Sequence, residues 1–239
     1  MKVTLAQTAP KLNRTNLDDI VTLIHSYKEK SDLIIFPELS LNGYSLQDKL
    51  YEDAWFLDEL SILEELSKEV DIVVGGAIRD KKVFRNSALY FSKGELLSQH
   101  NKVHLPNYGM FEEARYFSAG NLFEGFETEF GKISMLVCED LWHAGVHHQL
   151  FEQNPDYIIA LVSSPARGFS DEGLLIEEQW SALLKSVALQ CDAQVIFVNR
   201  VGFEDGLGFW GGSCIVDRDA RVLEKLPHYE TVTKTFEIN

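Results

Sequence analysis

The chain has 239 residues, 45% of them hydrophobic, which is enough for a substantial core and within the range of one α/β domain. Its 22 Lys+Arg against 37 Asp+Glu leave a net charge of −15, and a field of that sign repels phosphate backbones and argues against nucleic-acid binding. Three cysteines, an odd number without Cys-x-x-Cys spacing, argue against a disulfide framework and fit a reducing compartment.

The N-terminal Met-Lys-Val-Thr-Leu-Ala-Gln lacks the apolar core of a signal peptide and runs directly into a strand pattern over Val3 to Thr8. Leu17, Ile20, Val21 and Ile24 follow helical spacing, with Thr15 or Asn16 as the cap. Asp32 to Phe36 reads as a strand buried on both faces and stopped by Pro37. Leu57, Leu60, Leu63 and Leu66 predict a second helix. Ile72 to Ile78 and Val83 to Phe91 predict strands, with Lys93-Gly94 turning the chain into a hairpin return. The stretch from Asn101 to Gly120 is irregular, aromatic and charged, too long for a plain connector. Ile133 to Val137, Tyr157 to Val162 and Gln194 to Asn199 predict further buried strands, and Leu175, Trp180, Leu183, Leu184 and Val187 a helix before the last of them. Ser213 to Asp217 and Glu230 to Ile238 read as closing strands. The longest apolar runs are too short to span a bilayer, so a cytoplasmic protein without membrane association is expected. Strand–helix alternation followed by hairpins predicts an α/β fold with a mixed sheet, and no linker or clear internal repeat divides it, giving one domain over 1–239.

Three stretches carry reactive side chains just beyond such strands or in a loop leaving one. Phe36-Pro-Glu-Leu-Ser presents Glu38, Asn101-Lys-Val-His-Leu-Pro-Asn-Tyr presents Lys102, and Leu136-Val-Cys-Glu-Asp-Leu-Trp presents Cys138. A carboxylate, an ammonium and a thiol are the groups needed to attack an amide carbonyl and expel an amine. An ordinary thiol has a pKa near ~8.5; a nearby Lys102 ammonium would favour the thiolate, and Glu38 could take the proton.

In these motifs and their order the chain resembles the nitrilase superfamily of carbon–nitrogen hydrolases, whose members use a Glu–Lys–Cys triad. Lys102-Val-His-Leu-Pro-Asn-Tyr-Gly-Met-Phe-Glu-Glu-Ala-Arg-Tyr-Phe and Val137-Cys-Glu-Asp-Leu-Trp look most like the glutamine-amidohydrolase domain of glutamine-dependent NAD synthetases. Arg85-Asn-Ser-Ala-Leu-Tyr, Val198-Asn-Arg-Val-Gly and Trp210-Gly-Gly-Ser-Cys-Ile-Val-Asp resemble family core segments, so the resemblance covers nearly the whole chain. It implies an α-β-β-α sandwich with mixed sheets. It also implies a second glutamate holding the lysine, at Glu113 rather than Glu112, and oxyanion stabilisation by Lys102 with the backbone N–H of Glu139. Tyr108 falls where that branch carries a site-lining tyrosine, the alternative being packing within the loop. Ser163-Ser-Pro-Ala-Arg-Gly falls where the family lines its pocket, which makes Ser164 a substrate-binding candidate. Arg167 could pair with a substrate carboxylate; a surface ion pair is the alternative. Ala220 stands where a turn glycine is usual, and the chain stops at Asn239 without the C-terminal extension that many members pack against a partner subunit.

Cys191 and Cys214 read as packing residues. His143 and His147, four apart and near Cys138, have a helical metal-ligand spacing, but no second ligand pair accompanies them and His148, so neither metal nor cofactor is expected. The resemblance implies a thiol amidohydrolase cleaving a small linear amide, of glutamine or ω-amide type, through a Cys138 thioester. An N-carbamoyl amino acid hydrolase and a non-catalytic binding protein on the same scaffold are the alternatives. A homodimer and an ammonia-accepting synthetase are the expected partners.

Overall fold

Residues 1–171 and 173–238 are described by a computed structural model of the chain. In chain order the first strands are β1 (Lys2–Gln7), β2 (Leu33–Ile35), β3 (Asp71–Asp80), β4 (Val83–Ser92) and β5 (Glu95–Asn101). They are followed by β6 (Phe126–Thr128), β7 (Gly131–Val137), β8 (Tyr157–Val162), the two-residue strands β9 (Phe169–Ser170) and β10 (Gly173–Leu174), and β11 (Gln194–Asn199). The last are β12 (Val201–Glu204), β13 (Leu207–Trp210), β14 (Cys214–Val216), β15 (Val222–Lys225) and β16 (Val232–Glu237). The helices are α1 (Asn16–Tyr27), α2 (Leu50–Asp53), α3 (Ser61–Leu66), α4 (Glu113–Tyr116), α5 (Ala144–Gln153) and α6 (Leu175–Cys191).

Twelve of the strands form two six-stranded sheets, β16-β1-β2-β3-β4-β5 and β15-β14-β11-β8-β7-β6. Both are mixed, and in the same way. In the first, β1, β2 and β3 run parallel, while β4, β5 and β16 are antiparallel to their neighbours. In the second, β7, β8 and β11 run parallel, while β14, β15 and β6 are antiparallel to theirs. The sequence carries no repeat that announces this duplication of topology, because the shared feature is pairing order and not residue identity.

Period-two alternation stacks the sheets face to face. Val3, Leu5, Leu33, Ile35 and Val73 from the first meet Met135, Val137, Ile159, Leu161 and Ile196 from the second in one predominantly apolar layer. The opposite face of the first sheet, with Ile34, Ile72 and Val74, is covered by Ile20 and Ile24 of α1 and by Leu63 and Leu66 of α3. The opposite face of the second, with Ile158, Ala160 and Val195, is covered by Val146 and Leu150 of α5 and by Trp180, Leu184 and Val187 of α6. The fold is therefore an α-β-β-α sandwich. Among the described residues no helix is long and apolar enough to cross a membrane.

Several local expectations resolve differently. Thr15 occupies the N-cap position of α1 but makes no side-chain cap; its hydroxyl donates to Asn13 Oδ1, and Asn16 bonds the Lys11 backbone instead. The second helix begins as a 3₁₀ turn over Leu57–Leu60 before α3, which leaves Leu57 exposed while Leu60, Leu63 and Leu66 are buried. The Lys93-Gly94 turn is as expected: both take left-handed φ, 53° and 90°, and join β4 to β5 in an antiparallel hairpin. Ala220 keeps a left-handed φ of 62° in the Asp217–Arg221 turn, a conformation that favours glycine. Helix α5 has too few apolar positions to be predicted: only Val146, His147 and Leu150 of it are buried.

Candidate active site

Each reactive residue sits where a strand stops. Pro37 ends β2, and the bend beyond it is held by Phe36 N–H to Val73 O at 2.8 Å and Leu41 N–H to Gly75 O at 3.0 Å. That bend lies against Gly75 of β3, where an added Cβ would stand 2.5 Å from Pro37 O and 2.7 Å from Glu38 Cα, so the strand passes only because it has no side chain there. Lys102 follows β5 and stays tied to β4 by donating its N–H to Asn86 O at 2.8 Å. Cys138 opens a 3₁₀ helix over Cys138–Trp142 directly after β7, with a left-handed φ of 46°. A non-glycine residue at positive φ on a sharp strand-to-helix turn is backbone strain of the kind that concentrates at functional sites.

The side chains converge. Lys102 Nζ donates to Glu38 Oε1 and to Glu113, each at 2.8 Å, although Glu38 and Lys102 are 64 residues apart. Lys102 is 1% exposed and Glu38 fully buried. Asn86 Nδ2 donates to the same Glu38 Oε1 at 2.8 Å, and Tyr44 OH donates to Glu113 Oε1 at 2.6 Å. Glu38 Oε2 is buried without a protein partner among the described residues. One carboxylate oxygen is thus fixed by two donors, while the other points to no hydrogen-bond partner among the described residues. Glu112 faces solvent beside Arg115.

The electrostatics follow from burial and two carboxylates around one ammonium. Burial alone would lower Lys102, but Glu113 and Glu38 outweigh it and hold the ammonium well above its ordinary pKa. Glu113 is raised, chiefly by burial, against the pull of Lys102. Cys138 is pushed well above the ordinary thiol value by burial and then by the Glu38 carboxylate; Lys102 and the Ser163 backbone pull in the other direction and lose. The expected pull of Lys102 toward the thiolate is present, but burial and the Glu38 charge outweigh it.

Around this cluster the fold distributes the remaining candidates unevenly. Tyr108 is 51% exposed and donates through its OH to Glu139 Oε2 at 2.9 Å; burial and that bond push its phenol up to about 12. Glu139 also lies 3.8 Å from His143, and its backbone N–H belongs to the first turn of the 3₁₀ helix, where amides lack intrahelical acceptors. Arg167 stacks over Phe111 at 5.4 Å, and its buried Nε has no partner among the described residues. Tyr108, Trp142 and Arg167 line a cavity of about 300 Å³. A second cavity, of about 240 Å³, reaches the cluster through Tyr44 and Glu113, and Phe111 stands between the two, edge-on to both Tyr44 and Tyr108. Ser164 lies apart: its hydroxyl accepts the Trp180 indole N–H at 2.9 Å and its amide donates to Asn199. The histidines diverge, with His143 stacked on His104 at 3.6 Å, His147 bonded to Leu141 O and His148 beside Glu152.

Sequence reasoning missed Tyr44, Asn86, Asp140 and Ser163. Ser163 Oγ donates to Glu38 O at 3.0 Å. Asp140 accepts from Val103 N–H, His104 N–H and Val137 N–H and bonds His100 Nε2. Two of them had a local signal: Ser163 follows the end of β8, and Asp140 is an acidic residue at the third position of the turn that follows Cys138, where a capping side chain reaches back to the strand end.

Residues 2–239 match the carbon–nitrogen hydrolase family model. The glutamine-dependent NAD(+) synthetase of Acinetobacter baylyi is 31% identical over 235 residues, covering 96% of this chain but 42% of that protein. The solved glutamine-dependent NAD+ synthetase of Acinetobacter baumannii superposes with a TM-score of 0.86 at 29% identity, over 98% of this chain and 44% of that one. An amidase of the nitrilase superfamily from Nesterenkonia AN1 shares the fold at a TM-score of 0.84 and 22% identity, over 100% of this chain and 90% of its own. The chain spans less than half the length of the NAD synthetases that it matches.

Proposed function

The chain belongs to the carbon–nitrogen hydrolase family, and from that premise we propose that it is a thiol amidohydrolase releasing ammonia from a small linear amide. The observation that carries the reading is the buried Lys102 ammonium clamped by Glu38 and Glu113, with one Glu38 oxygen free and a strained cysteine beside it.

Because the thiol rests protonated, Glu38 acts first, as general base. Its free Oε2 takes the Cys138 proton as the sulfur adds to the amide carbon, so that no persistent thiolate is required. The carbonyl oxygen becomes an oxyanion facing the Lys102 ammonium and the Glu139 backbone N–H; one such donor is worth about 3–4 kcal/mol of barrier. The carbon–nitrogen bond then breaks as Glu38 returns the proton to the leaving nitrogen, leaving a thioester on Cys138. Glu38 next takes a proton from water, hydroxide equivalent adds to the thioester, and the sulfur departs with that proton. Glu113 and Tyr44 hold Lys102 in place throughout.

An amide of glutamine or ω-amide type fits the surroundings. The unpartnered Arg167 Nε offers a donor to a substrate carboxylate at the cavity that Tyr108 and Trp142 also line, and Ser164 buttresses that strand end through Trp180. The NAD synthetase likeness supports a synthetase as recipient of the ammonia; a homodimer as the assembly and the cytoplasm as the compartment, where three unpaired thiols would persist, complete the proposal.

The test is ammonia release from glutamine, asparagine, ω-amides and carbamoyl-β-alanine by wild type and Cys138→Ala. Release from a glutamine-type amide that disappears with the thiol is expected. Release from carbamoyl-β-alanine alone would move the chain to carbamoyl hydrolysis. No release from any amide, with Cys138 inert to glutamine-mimicking electrophiles, would favour a binding protein on this scaffold.

A further inference from the structure

The charged members of the site and its nucleophile belong to different sheets. Glu38 follows β2 and Lys102 follows β5, both of the first sheet, whereas Cys138 follows β7 of the second. The apolar layer between the sheets holds them at a fixed separation, and directional polar contacts across it hold the loops that leave them. Ser163 Oγ, beyond β8 of the second sheet, donates to Glu38 O at 3.0 Å, and a second such contact has to hold Lys102 against Cys138.

Asp140 is built to do so. It lies two residues past the nucleophile and is fully buried. On the second-sheet side its Oδ2 accepts the Val137 N–H at 3.2 Å. On the first-sheet side Oδ1 accepts the amides of Val103 at 3.0 Å and His104 at 2.9 Å, and His100 Nε2 meets Oδ2 at 2.8 Å. Residues 100, 103 and 104 bracket Lys102, so one carboxylate grips the lysine segment from both ends and ties it to the residue preceding Cys138. Burial would raise this carboxyl, yet the His100 and His104 hydrogen bonds hold it well below the usual carboxylate range, so the clamp stays an acceptor. The ion pairs from Lys102 to Glu38 and Glu113 stay within the first sheet and its loop and cannot perform this task.

We propose that Asp140 is a positioning residue that sets the register of the Lys102 loop against the Cys138 turn across the two sheets. The proposal rests on the Glu38–Lys102–Cys138 reading. Cys138 is faced by Glu38, Lys102 and Glu113, and Asp140 by His100 and His104. Releasing the clamp lets the lysine loop move away from the thiol, which removes the cation that lowers the thiol pKa.

The experiment compares full-length wild type, Asp140→Asn, His100→Leu and His100→Gln by kcat and KM for ammonia release, by the pH midpoint of iodoacetamide alkylation at Cys138, and by melting temperature. Asp140→Asn places an amide donor among four donors. It is expected to lower kcat by about tenfold or more with KM within about threefold, and to move the alkylation midpoint upward by about half a pH unit or more. His100→Leu should do the same to a smaller degree, and His100→Gln, which can still donate to Oδ2, should recover most of the loss. A residue that only packs would lower the melting temperature and speed alkylation at every pH without moving its midpoint. Wild-type kcat and an unmoved midpoint in folded Asp140→Asn overturn the proposal, and if that variant does not fold, the same result in His100→Leu overturns it. Should wild type release ammonia from no amide, the amidohydrolase reading falls, while the alkylation midpoints still decide the clamp.

Discussion

A half-buried thiol packed beside a carboxylate is a poor thiolate, and in the proposed reaction this decides the division of labour among the reactive residues. Burial and the Glu38 charge outweigh the pull of Lys102 on the Cys138 thiol, so in the proposed reaction activation falls to the unpartnered oxygen of Glu38. Glu38→Gln should therefore have two opposite effects. Ammonia release should fall by about 10²–10⁴-fold with loss of the base. The alkylation midpoint of Cys138 should move down, because a negative charge that raises the thiol is gone while Lys102 is still held by Glu113. Stopped alkylation across a pH series reads the second effect; an upward shift would contradict this division of roles. The residues that support the cluster, Tyr44 and Asn86, were illegible for a simple reason. Neither sits at a strand end or in a reactive motif, and each meets its carboxylate only across a long chain separation, 69 residues for Tyr44 to Glu113 and 48 for Asn86 to Glu38.

Among the elements, the strands were the most legible, since a short apolar run bounded by turn residues leaves few alternatives. Their ends also placed Glu38 and Cys138. The reason that the β2 end can carry a buried carboxylate lies in its neighbour: Gly75 of β3 lets the Pro37–Glu38 backbone approach to a distance that no Cβ would allow. Gly75→Ala should therefore displace Glu38, lower stability by about 1–3 kcal/mol as an overpacked core substitution does, and reduce ammonia release by more than an equally destabilising substitution in α6 such as Leu184→Ala. Denaturant midpoints paired with activities would show it. The amphipathic helices divide by their content: α6 carries a long apolar stripe and was predicted, whereas α5 buries three residues, one of them a histidine, and was not.

At the scale of the molecule, both sheets contribute to one central layer, so neither can lose it alone. Leu5→Ala in the first sheet and Ile159→Ala in the second, both fully buried there, should each cost about 2–5 kcal/mol. Each should lower one shared unfolding transition without splitting it. Calorimetry on the two variants tests this, and a second transition in either would divide the chain into two folding units. The same layer explains why the site can exist: it is formed only after the sheets have stacked, from loops that leave different sheets.

The sequence by itself determined the class of fold and the order of most strands, and it offered Glu38, Lys102 and Cys138 as candidate reactive groups, because apolar periodicity, strand-stopping residues and chemical type are local properties; Glu113 came from the family resemblance. Only the tertiary structure decided which side chains are hydrogen-bonded to one another, which carboxylate oxygen has no partner among the described residues, that Ser164 turns toward Trp180, and that Asp140 bonds both the Lys102 loop and the Cys138 turn. Those are matters of distance and burial between residues remote in the chain. A thiol pKa, above all, is a property of what surrounds the sulfur.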